Sequence, residues 1–486
     1  MNEIQLPVSE LKTALTGLGK VISKTSSLPV LSCVRVNRNS EGEVSLTGTD
    51  LDSFVTTRLK SKSEGEPLTC LVPFGALLKV TKNCGGGDHL FLGLRSKDQI
   101  AIRYPAGNTF IEAKEANIPV EEFPPLPVVR GESVVLDEKI QQSVLEAFQC
   151  IPKDETRYVL RGACLDVSNK TGHSVVGTDG RHLYAANSFK LDLKDSLIIP
   201  NRKFLEWGGF QNDGEWKLTV SSNKKDTVKW FGLESAHWSF ASREIDGVYP
   251  NWRQVVPDHG DVKVQIEFGN EAVSILANIL PKLPGQDHAN QPVGLFVENQ
   301  KLRILAHEEQ DKEETVLEIP DVKIKGMNVQ VAVNRAFFIK ALQFGFRKVN
   351  LIDEHTPLIF VTEGKRMVVM PVRYDGRKMP ENAVDVRLSA KPTNPEPVEP
   401  EPMKTENRIS PASGTTTVPV SSEENPTALK TAITQIEIIK ESFKEAVSRL
   451  SEVLDSLKVA VKEQKTAEKE VEGIRTTLKN LQKFKL

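Results

Sequence analysis

The residue types that most often carry out chemistry occur in this chain without a catalytic pattern. The eight histidines are scattered, and none forms an HExxH pair or a ligand set with cysteine, so we expect no metal site. The segment 17–20 (GLGK) resembles a phosphate-binding loop, but Ala14 and Val21 stand where that motif requires Gly and Ser or Thr. No GxSxG motif occurs. We therefore expect neither an enzyme nor a bound cofactor.

Cysteine usage indicates a cytoplasmic protein, and the net charge excludes a globally basic DNA binder. Five cysteines without a CxxC pair, in a chain of 486 residues, indicate reduced thiols and a cytoplasmic protein. The N-terminus lacks the features of a signal peptide, and no apolar run of about 18 residues predicts a membrane span. Lys+Arg 63 against Asp+Glu 65 gives a net charge of −2, which excludes a globally basic DNA binder but not a local basic surface.

Up to about residue 380, one unit is repeated three times. Predicted helices open at the N-cap residues Ser9, Asp137 and Asn270, which are about 130 residues apart. A second helix recurs with the same period, in the segments FGALLKV, NRKFLEW and NRAFFIKAL, and short alternating strands lie between. We therefore predict an α+β fold of three repeated domains, 1–127, 128–257 and 258–376, each with two helices packed on antiparallel sheets.

The predicted helices carry or adjoin many basic residues. If the six helices share one face, that face is basic and can hold a phosphate backbone without reading bases. The alternative is that these lysines only solubilise helix surfaces. The residues that we expect to face DNA are Lys20, Lys24, Lys79, Lys82, Lys139, Arg202, Lys203, Lys282, Arg335 and Lys340.

The composition changes near residue 388. Prolines, Glu, Ser and Thr then dominate up to Pro426, and we predict a disordered linker over 377–426. From residue 427 to 486, apolar residues follow a heptad-like pattern with one break. We predict a long C-terminal helix that pairs with itself or with an unknown partner, as in a coiled coil.

Seven motifs in order resemble the bacterial DNA polymerase III beta subunit, the family of replication sliding clamps. They are LPVLSCVRV (28–36), LTGTDLD (46–52), EEFPPLP (121–127), TRYVLRG (156–162), GTDGRHL (177–183), YPNWRQVVP (249–257) and VVMPVR (368–373). The resemblance covers residues 1 to about 374, in register with the three repeats. It implies a head-to-tail homodimer whose six domains form a DNA clamp, a closed ring around double-stranded DNA. Such a ring is a processivity factor without an active site, and its implied partners are the polymerase III alpha subunit, the clamp loader and other clamp-binding peptides.

The resemblance also implies an apolar cleft between domains 2 and 3 that binds partner peptides with Gln and Leu/Phe anchors. Transferred motif by motif, the cleft residues are Leu160, Thr178, Gly180, Arg181, His182, Leu183, Pro250, Val255, Val368, Met370, Pro371, Val372 and Arg373. The chain departs from the family in three of its motifs. Arg181 precedes His182 where the family has the reverse order, and Gln254 and Val372 stand where Arg and Met are frequent.

Two other classes of function remain open on the sequence. One is a clamp-derived scaffold that recruits partners through its C-terminal helix, and the other is a DNA-binding regulatory protein. Failure of ring closure would favour the scaffold, and sequence-selective binding to linear DNA would favour the regulator.

Overall fold

The described part of the chain contains six α-helices and 25 β-strands. The computed structural model describes residues 2–373 except 24, 25, 155, 171, 188, 222–228, 258–261, 289 and 309–314. These residues belong to one unit, Met1–Thr393. The predictions for Lys24, for the linker 377–426 and for the helix 427–486 lie outside the described residues. No described helix is long and apolar enough to cross a membrane.

The helices are short and the strands are numerous. The helices are α1 (Val8–Leu18), α2 (Phe74–Lys82), α3 (Glu138–Phe148), α4 (Gly208–Gln211), α5 (Asn270–Ile279) and α6 (Arg335–Gln343). The strands are β1 (Glu3–Pro7), β2 (Cys33–Arg38), β3 (Val44–Thr49), β4 (Ser53–Arg58), β5 (Leu68–Pro73), β6 (His89–Ser96), β7 (Gln99–Ala106), β8 (Thr109–Ala116), β9 (Ser133–Leu136), β10 (Gly162–Asp166), β11 (Ser174–Thr178), β12 (His182–Ala186), β13 (Leu197–Pro200), β14 (Trp216–Val220), β15 (Trp230–Glu234), β16 (Trp238–Arg243), β17 (Val264–Phe268), β18 (Pro292–Glu298), β19 (Lys301–Ala306), β20 (Thr315–Ile319), β21 (Val322–Gly326), β22 (Val329–Asn334), β23 (Lys348–Leu351), β24 (Leu358–Thr362) and β25 (Lys365–Val369).

One order of elements recurs three times. A strand, a helix, four strands, a second helix and three strands run from β1 to β8 and again from β9 to β16. The third series runs from β17 to β25 and has one additional strand, β21, before its second helix. Antiparallel sheets with few helices confirm the predicted α+β class.

The strands form four sheets, two of which cross from one repeat to the next. The eight-stranded sheet has the order β5-β2-β3-β4-β16-β15-β14-β9, and the nine-stranded sheet has the order β13-β10-β11-β12-β25-β24-β23-β17-β21. The other two sheets have four strands each, β1-β6-β7-β8 and β20-β19-β18-β22. The crossings are the antiparallel pairs β4 with β16 and β12 with β25.

A single apolar core extends through all three repeats, between the helices and the inner faces of the sheets. Leu11, Leu77, Val144, Leu276 and Phe338 contribute one fully buried side chain from each of five helices. Burying a side chain of this size stabilises a fold by about 1.5–3 kcal/mol. Smaller apolar clusters cover parts of the outer sheet faces, and one of them underlies the candidate site.

The helix starts agree with the sequence in one repeat of three. Asp137 caps α3 as predicted, because its Oδ1 accepts a hydrogen bond from the backbone N–H of Ile140 at 2.9 Å. The other two predicted caps are wrong, since α1 begins after Pro7 and α5 after Gly269. At α5 the first-turn N–H of Glu271 donates instead to the carboxylate of Asp321, in the turn between β20 and β21, at 3.1 Å.

The second helix of the middle repeat is much shorter than predicted. The segment NRKFLEW (201–207) forms turns, and only Gly208–Gln211 is helical. Phe204 is fully buried in a cluster of aromatic rings, 4.8 Å from Phe210, and this packing replaces regular helix. The two glycines of α4 also weaken helix formation, each by about 1 kcal/mol relative to alanine.

Candidate partner cleft and nucleic-acid surface

Ten of the predicted cleft residues line one pocket of about 180 Å³. They come from the second and third repeats, which meet where β12 pairs with β25. The pocket opens beside an outer-face apolar cluster that includes Leu183, Trp252 and Val368. The predicted residues in it are Leu160, Thr178, Gly180, Arg181, His182, Leu183, Pro250, Val255, Val368 and Met370. We call this pocket the cleft.

The turn between β11 and β12 forms one wall of the cleft and depends on a glycine. Gly180 has φ +83°, and a Cβ there would lie 2.4 Å from the guanidinium of Arg157, which donates to the carbonyl oxygen of Asp179. The Asp179 carboxylate accepts hydrogen bonds from the backbone N–H groups of Arg181 and His182, at 2.8 and 2.9 Å. This turn therefore presents its side chains in a fixed arrangement.

The opposite wall is held by a buried carboxylate. Trp252 Nε1 and Arg253 Nη1 both donate to Asp166 Oδ2 at 2.7 Å. Burial alone would raise the pKa of Asp166, but hydrogen bonds from Ser168 and Trp252 outweigh it and hold the pKa below its ordinary value. The ionised carboxylate thereby fixes the Trp252 ring against the cleft.

His182 links the cleft to helix α6 of the third repeat. Its Nδ1 lies 2.8 Å from Asp179 Oδ1, and its Nε2 lies 3.0 Å from Lys340 Nζ. The ring stacks on Phe337, with centroids 4.0 Å apart, and Lys340 also donates to the carbonyl oxygen of Gln149. Burial lowers the pKa of His182, and the Lys340 ammonium lowers it further, whereas Asp179 raises it.

A second polar contact joins the same two repeats. The Lys365 ammonium on β25 lies 2.8 Å from the Glu146 carboxylate on α3, and the Tyr184 hydroxyl donates to the same carboxylate. The Glu146 side chain is buried. Because breaking a buried pair leaves an uncompensated charge, this contact fixes the orientation of β25 against α3.

The remaining three predicted cleft residues line a neighbouring pocket of about 540 Å³. Pro371, Val372 and Arg373 form one side of it, opposite Phe296 on β18. Met370 lines both pockets, and the Val372 N–H donates to the carbonyl oxygen of Ala332 at 2.9 Å. The predicted set is therefore divided between two adjoining pockets that share Met370.

Sequence reasoning missed two residues of the cleft, Asn251 and Trp252. Both lie inside YPNWRQVVP, the motif that supplied Pro250 and Val255. The aromatic residue within this motif was the signal that could have identified Trp252 as part of a binding site.

Six of the predicted DNA-facing residues are exposed to solvent on or beside the helices. They are Lys20, Lys79, Lys82, Lys139, Lys203 and Lys282. Five of these six belong to the first two repeats, so the exposed positive charge of the predicted set is distributed unevenly along the described chain.

The structure does not place the two predicted residues of α6 on an open helix surface. Arg335 is only 2% exposed, and its guanidinium donates to carbonyl oxygens of the 280–291 segment, including Leu283 and Pro284. Lys340 is half-buried, and its ammonium is engaged by Gln149 and His182. Neither side chain lies free on the helix surface, because Arg335 donates to buried carbonyl oxygens and Lys340 contacts Gln149 and His182.

Arg202 is half-buried in a charged pocket of about 380 Å³ instead of lying on an open helix surface. Its guanidinium lies 3.7 Å from the Asp52 carboxylate, which also lies 3.3 Å from Arg243. The pairing follows from the missing helix at 201–207, because the segment bends into turns at this point. Arg202 is therefore paired with a carboxylate in this structure, and its DNA-facing role stays a prediction.

No cluster of three or more His, Cys, Asp or Glu side chains that could hold a metal ion occurs within the described ranges. The five cysteines are free and buried. Burial raises the pKa of the Cys33 thiol to about 11, so this sulfur is a poor nucleophile.

Curated relatives match about three quarters of the chain. The beta sliding clamp of Pseudomonas aeruginosa is 24% identical over 374 residues, which are 73% of this chain and 95% of that protein. The beta sliding clamp of Vibrio cholerae is 23% identical over 381 residues, 75% of this chain and 98% of that protein. No family model matches the chain.

Solved structures share the fold. The crystal structure of the DNA polymerase III subunit beta from Pseudomonas aeruginosa matches with a TM-score of 0.65 at 20% identity. The match covers 76% of this chain and 100% of that one. The beta sliding clamp of Caulobacter crescentus has a TM-score of 0.66 at 19% identity and covers 77% of this chain and 99% of that one. About three quarters of the chain therefore adopts the clamp fold, and the chain is similar to bacterial beta sliding clamps.

Proposed function

We propose that the protein is a DNA sliding clamp, a homodimeric ring that encircles duplex DNA and tethers a replicative polymerase. The ring acts through topology and has no active site of its own. Tethering keeps the polymerase near the primer end and so raises its effective concentration there.

The observation that carries the proposal is a rule of strand pairing between repeats. The fourth strand of the first repeat, β4, pairs with the last strand of the second, β16. The fourth strand of the second repeat, β12, pairs with the last strand of the third, β25. By the same rule β20, the fourth strand of the third repeat, requires the last strand of a first repeat, β8. Among the described residues, both are edge strands of four-stranded sheets.

Pairing β20 with β8 of a second copy joins two four-stranded sheets into one of eight strands. That number matches the eight-stranded sheet within the chain. The pairing is head to tail, so two copies close a ring of six domains, three of them from each chain with boundaries at 127 and 257. Closure also covers two large apolar side chains on β8, Phe110 and Ile111, which are 51% and 45% exposed.

The exposed lysines of the helices provide the DNA surface. Ammonium groups contact phosphates without reading bases, and such contacts are weak and interchangeable, which sliding requires. Lys20, Lys79, Lys82, Lys139, Lys203 and Lys282 are the residues that we assign to this surface.

The cleft is the docking site for partner peptides, including those of the polymerase III alpha subunit and of the clamp loader. Aliphatic walls and the adaptable Met370 side chain suit Leu and Phe anchors, and the turn at Gly180 offers a polar rim. Met370 is 43% exposed, so an incoming side chain can displace it without opening the core. Pro371, Val372 and Arg373 extend the docking surface into the adjoining pocket.

The proposed ring is tested by the solution mass of the full chain. Light scattering should give twice the chain mass of 53.9 kDa. Ile111→Asp places a charge in the proposed β8–β20 interface and should weaken dimerisation by at least about 100-fold, since a desolvated unpaired charge costs several kcal/mol.

Val135→Asp is the matched control. Val135 is 48% exposed on β9, an edge strand that the proposed ring does not use, so this variant should retain the wild-type mass. A wild-type mass of one chain at micromolar concentration would contradict ring closure and favour the clamp-derived scaffold.

A further inference from the structure

We propose that Lys340 is a positioning residue of the cleft, which holds the His182 ring in place from the neighbouring repeat and makes peptide affinity depend on pH. This inference rests on the proposed function, because it concerns how the same cleft binds its peptide. It replaces the DNA-facing role that the sequence predicted for Lys340.

Lys340 and His182 reach each other across the boundary between two repeats. His182 begins β12, and Lys340 lies one turn before the end of α6. The His182 side chain lines the cleft and is nevertheless almost fully buried, at 4% exposed. Its ring is fixed on three sides, by Asp179 at Nδ1, by Lys340 at Nε2 and by Phe337 against one face.

The hydrogen bonds require one protonation state. An ammonium group can only donate, so Nε2 of His182 must accept from Lys340. Nδ1 then carries the proton and donates to the Asp179 carboxylate. Only the neutral imidazole satisfies both contacts, and its ring orientation follows from them.

Lys340 is itself held in position. Its ammonium donates to the carbonyl oxygen of Gln149, the residue after α3, at 2.5 Å, and lies 5.6 Å from the centre of the Phe337 ring. Burial lowers the pKa of Lys340, whereas the nearby Cys150 and Asp179 raise it and Lys153 lowers it. The side chain therefore bridges the second repeat and the cleft and does not extend to a phosphate.

Acid should break this arrangement. Protonation of His182 places two cations 3.0 Å apart, with Asp179 as the one carboxylate in contact with the ring among the described residues. The groups that face His182 are Asp179 from its own turn and Lys340 from α6, and burial is the largest cause of its lowered pKa. Because the contact exists only with neutral His182, it is present at neutral pH and is lost as the pH falls through the lowered pKa.

The test measures binding of a fluorescent synthetic peptide, with a Gln anchor and a Leu-Phe anchor, to the full chain between pH 5 and 8. Wild-type affinity should be constant at neutral pH and fall at least about threefold in acid, with a midpoint below the ordinary histidine value of about 6.5. Lys340→Met should weaken binding about three- to tenfold at pH 7.5. Its acid midpoint should move to higher pH, because the repulsion that lowers the His182 pKa is gone.

Two further variants distinguish a role of Lys340 in positioning the His182 ring from a general role in protein stability. Lys340→Arg retains a cationic donor and should recover most of the affinity. Lys217→Gln removes an exposed lysine on β14 and should leave both affinity and pH profile unchanged. DNA affinity at low salt should be unchanged in Lys340→Met but reduced in Lys79→Gln.

The outcomes are distinct. A flat wild-type pH profile, or a Lys340→Met chain that binds the peptide as the wild type does and instead loses DNA affinity, overturns this inference and leaves the cleft intact. A wild-type chain that does not bind the peptide at any pH overturns the proposed cleft and this inference together. The wild-type profile needs no variant, so misfolding of Lys340→Met does not protect the proposal.

Discussion

Two arginines in this fold are buried against main-chain carbonyl oxygens. Arg38 is fully buried and donates to the carbonyls of Glu3, Glu64 and Glu66. Arg335 is used in the same way by the 280–291 segment. No carboxylate is among these partners, so each guanidinium acts as a multiple donor that ties an irregular segment to the sheets.

Removing Arg335 should therefore cost stability and not DNA affinity. Arg335→Met leaves several buried carbonyls without a donor, which we expect to cost about 3–5 kcal/mol and to lower the Tm by at least about 5 °C. The salt dependence of DNA binding should stay as in the wild type. Calorimetry and a salt titration measure the two effects.

An exposed lysine provides the comparison. Lys79→Gln should leave the Tm within about 1 °C of wild type. The slope of log DNA affinity against log salt concentration should fall by about 1, as expected for the loss of one phosphate contact. A structural role for Arg335 would be contradicted if Arg335→Met kept the wild-type Tm but showed a weaker salt dependence of DNA binding.

Some features of single residues could be predicted from the sequence and others could not. The repeated GTD segments indicated two equivalent turns, and the residues that follow them, Leu51 and Gly180, both have positive φ, +79° and +83°. The cleft residues followed from motifs because motif positions are local. The contact of His182 with Lys340 joins residues 158 positions apart, and no local pattern specifies it. Burial of Arg335 was equally hidden, since its acceptors are main-chain atoms of a loop.

At the scale of elements, helix α1 packs by a glycine against two indole rings. A Cβ on Gly17 would lie 2.3 Å from Trp238 and 2.6 Å from Trp207. These rings belong to the second repeat, so the glycine lets α1 approach the next repeat closely. The segment 17–20, which resembles a phosphate-binding loop in sequence, therefore has a packing role.

Gly17→Ala should destabilise the protein by about 1–3 kcal/mol through overpacking, although alanine favours helix. Gly75→Ala on α2 is the matched control, because nothing lies within 4 Å of a Cβ at that position. The control should be neutral or stabilising by up to about 1 kcal/mol. Thermal unfolding of both variants measures the difference, and equal Tm changes would contradict the packing argument.

Element boundaries were predicted less well than element types. The helices α1, α2, α3, α5 and α6 lie where apolar periodicity indicated them. The middle repeat departs at 201–207, where buried aromatic packing overrides a helix-like pattern. Only one of three predicted caps is used, since strands that end at Pro7 and Phe268 set the other helix starts.

At the scale of the whole molecule, the repeat of about 130 residues predicts more about assembly than the seven family motifs do. Three repeats and one pairing rule specify which two edges of the described chain remain to be joined, β8 and β20. Sheet register could not be derived from the sequence, because the strands that cross between repeats are distant in the chain. The proposed ring follows from the observed pairings together with the repeat.

The central claim, encirclement of DNA, is tested most directly by a topological trap. The full chain is incubated with linear duplex DNA that carries biotin at both ends, streptavidin is added to block the ends, and the mixture is washed in high salt. A ring that has threaded onto the DNA should be retained, whereas phosphate contacts alone are lost at high salt.

Blocking the ends before the protein is added should abolish retention, and cutting the blocked DNA with a restriction enzyme should release the protein. Equal retention whichever reagent is added first, or retention that survives the cut, would contradict encirclement.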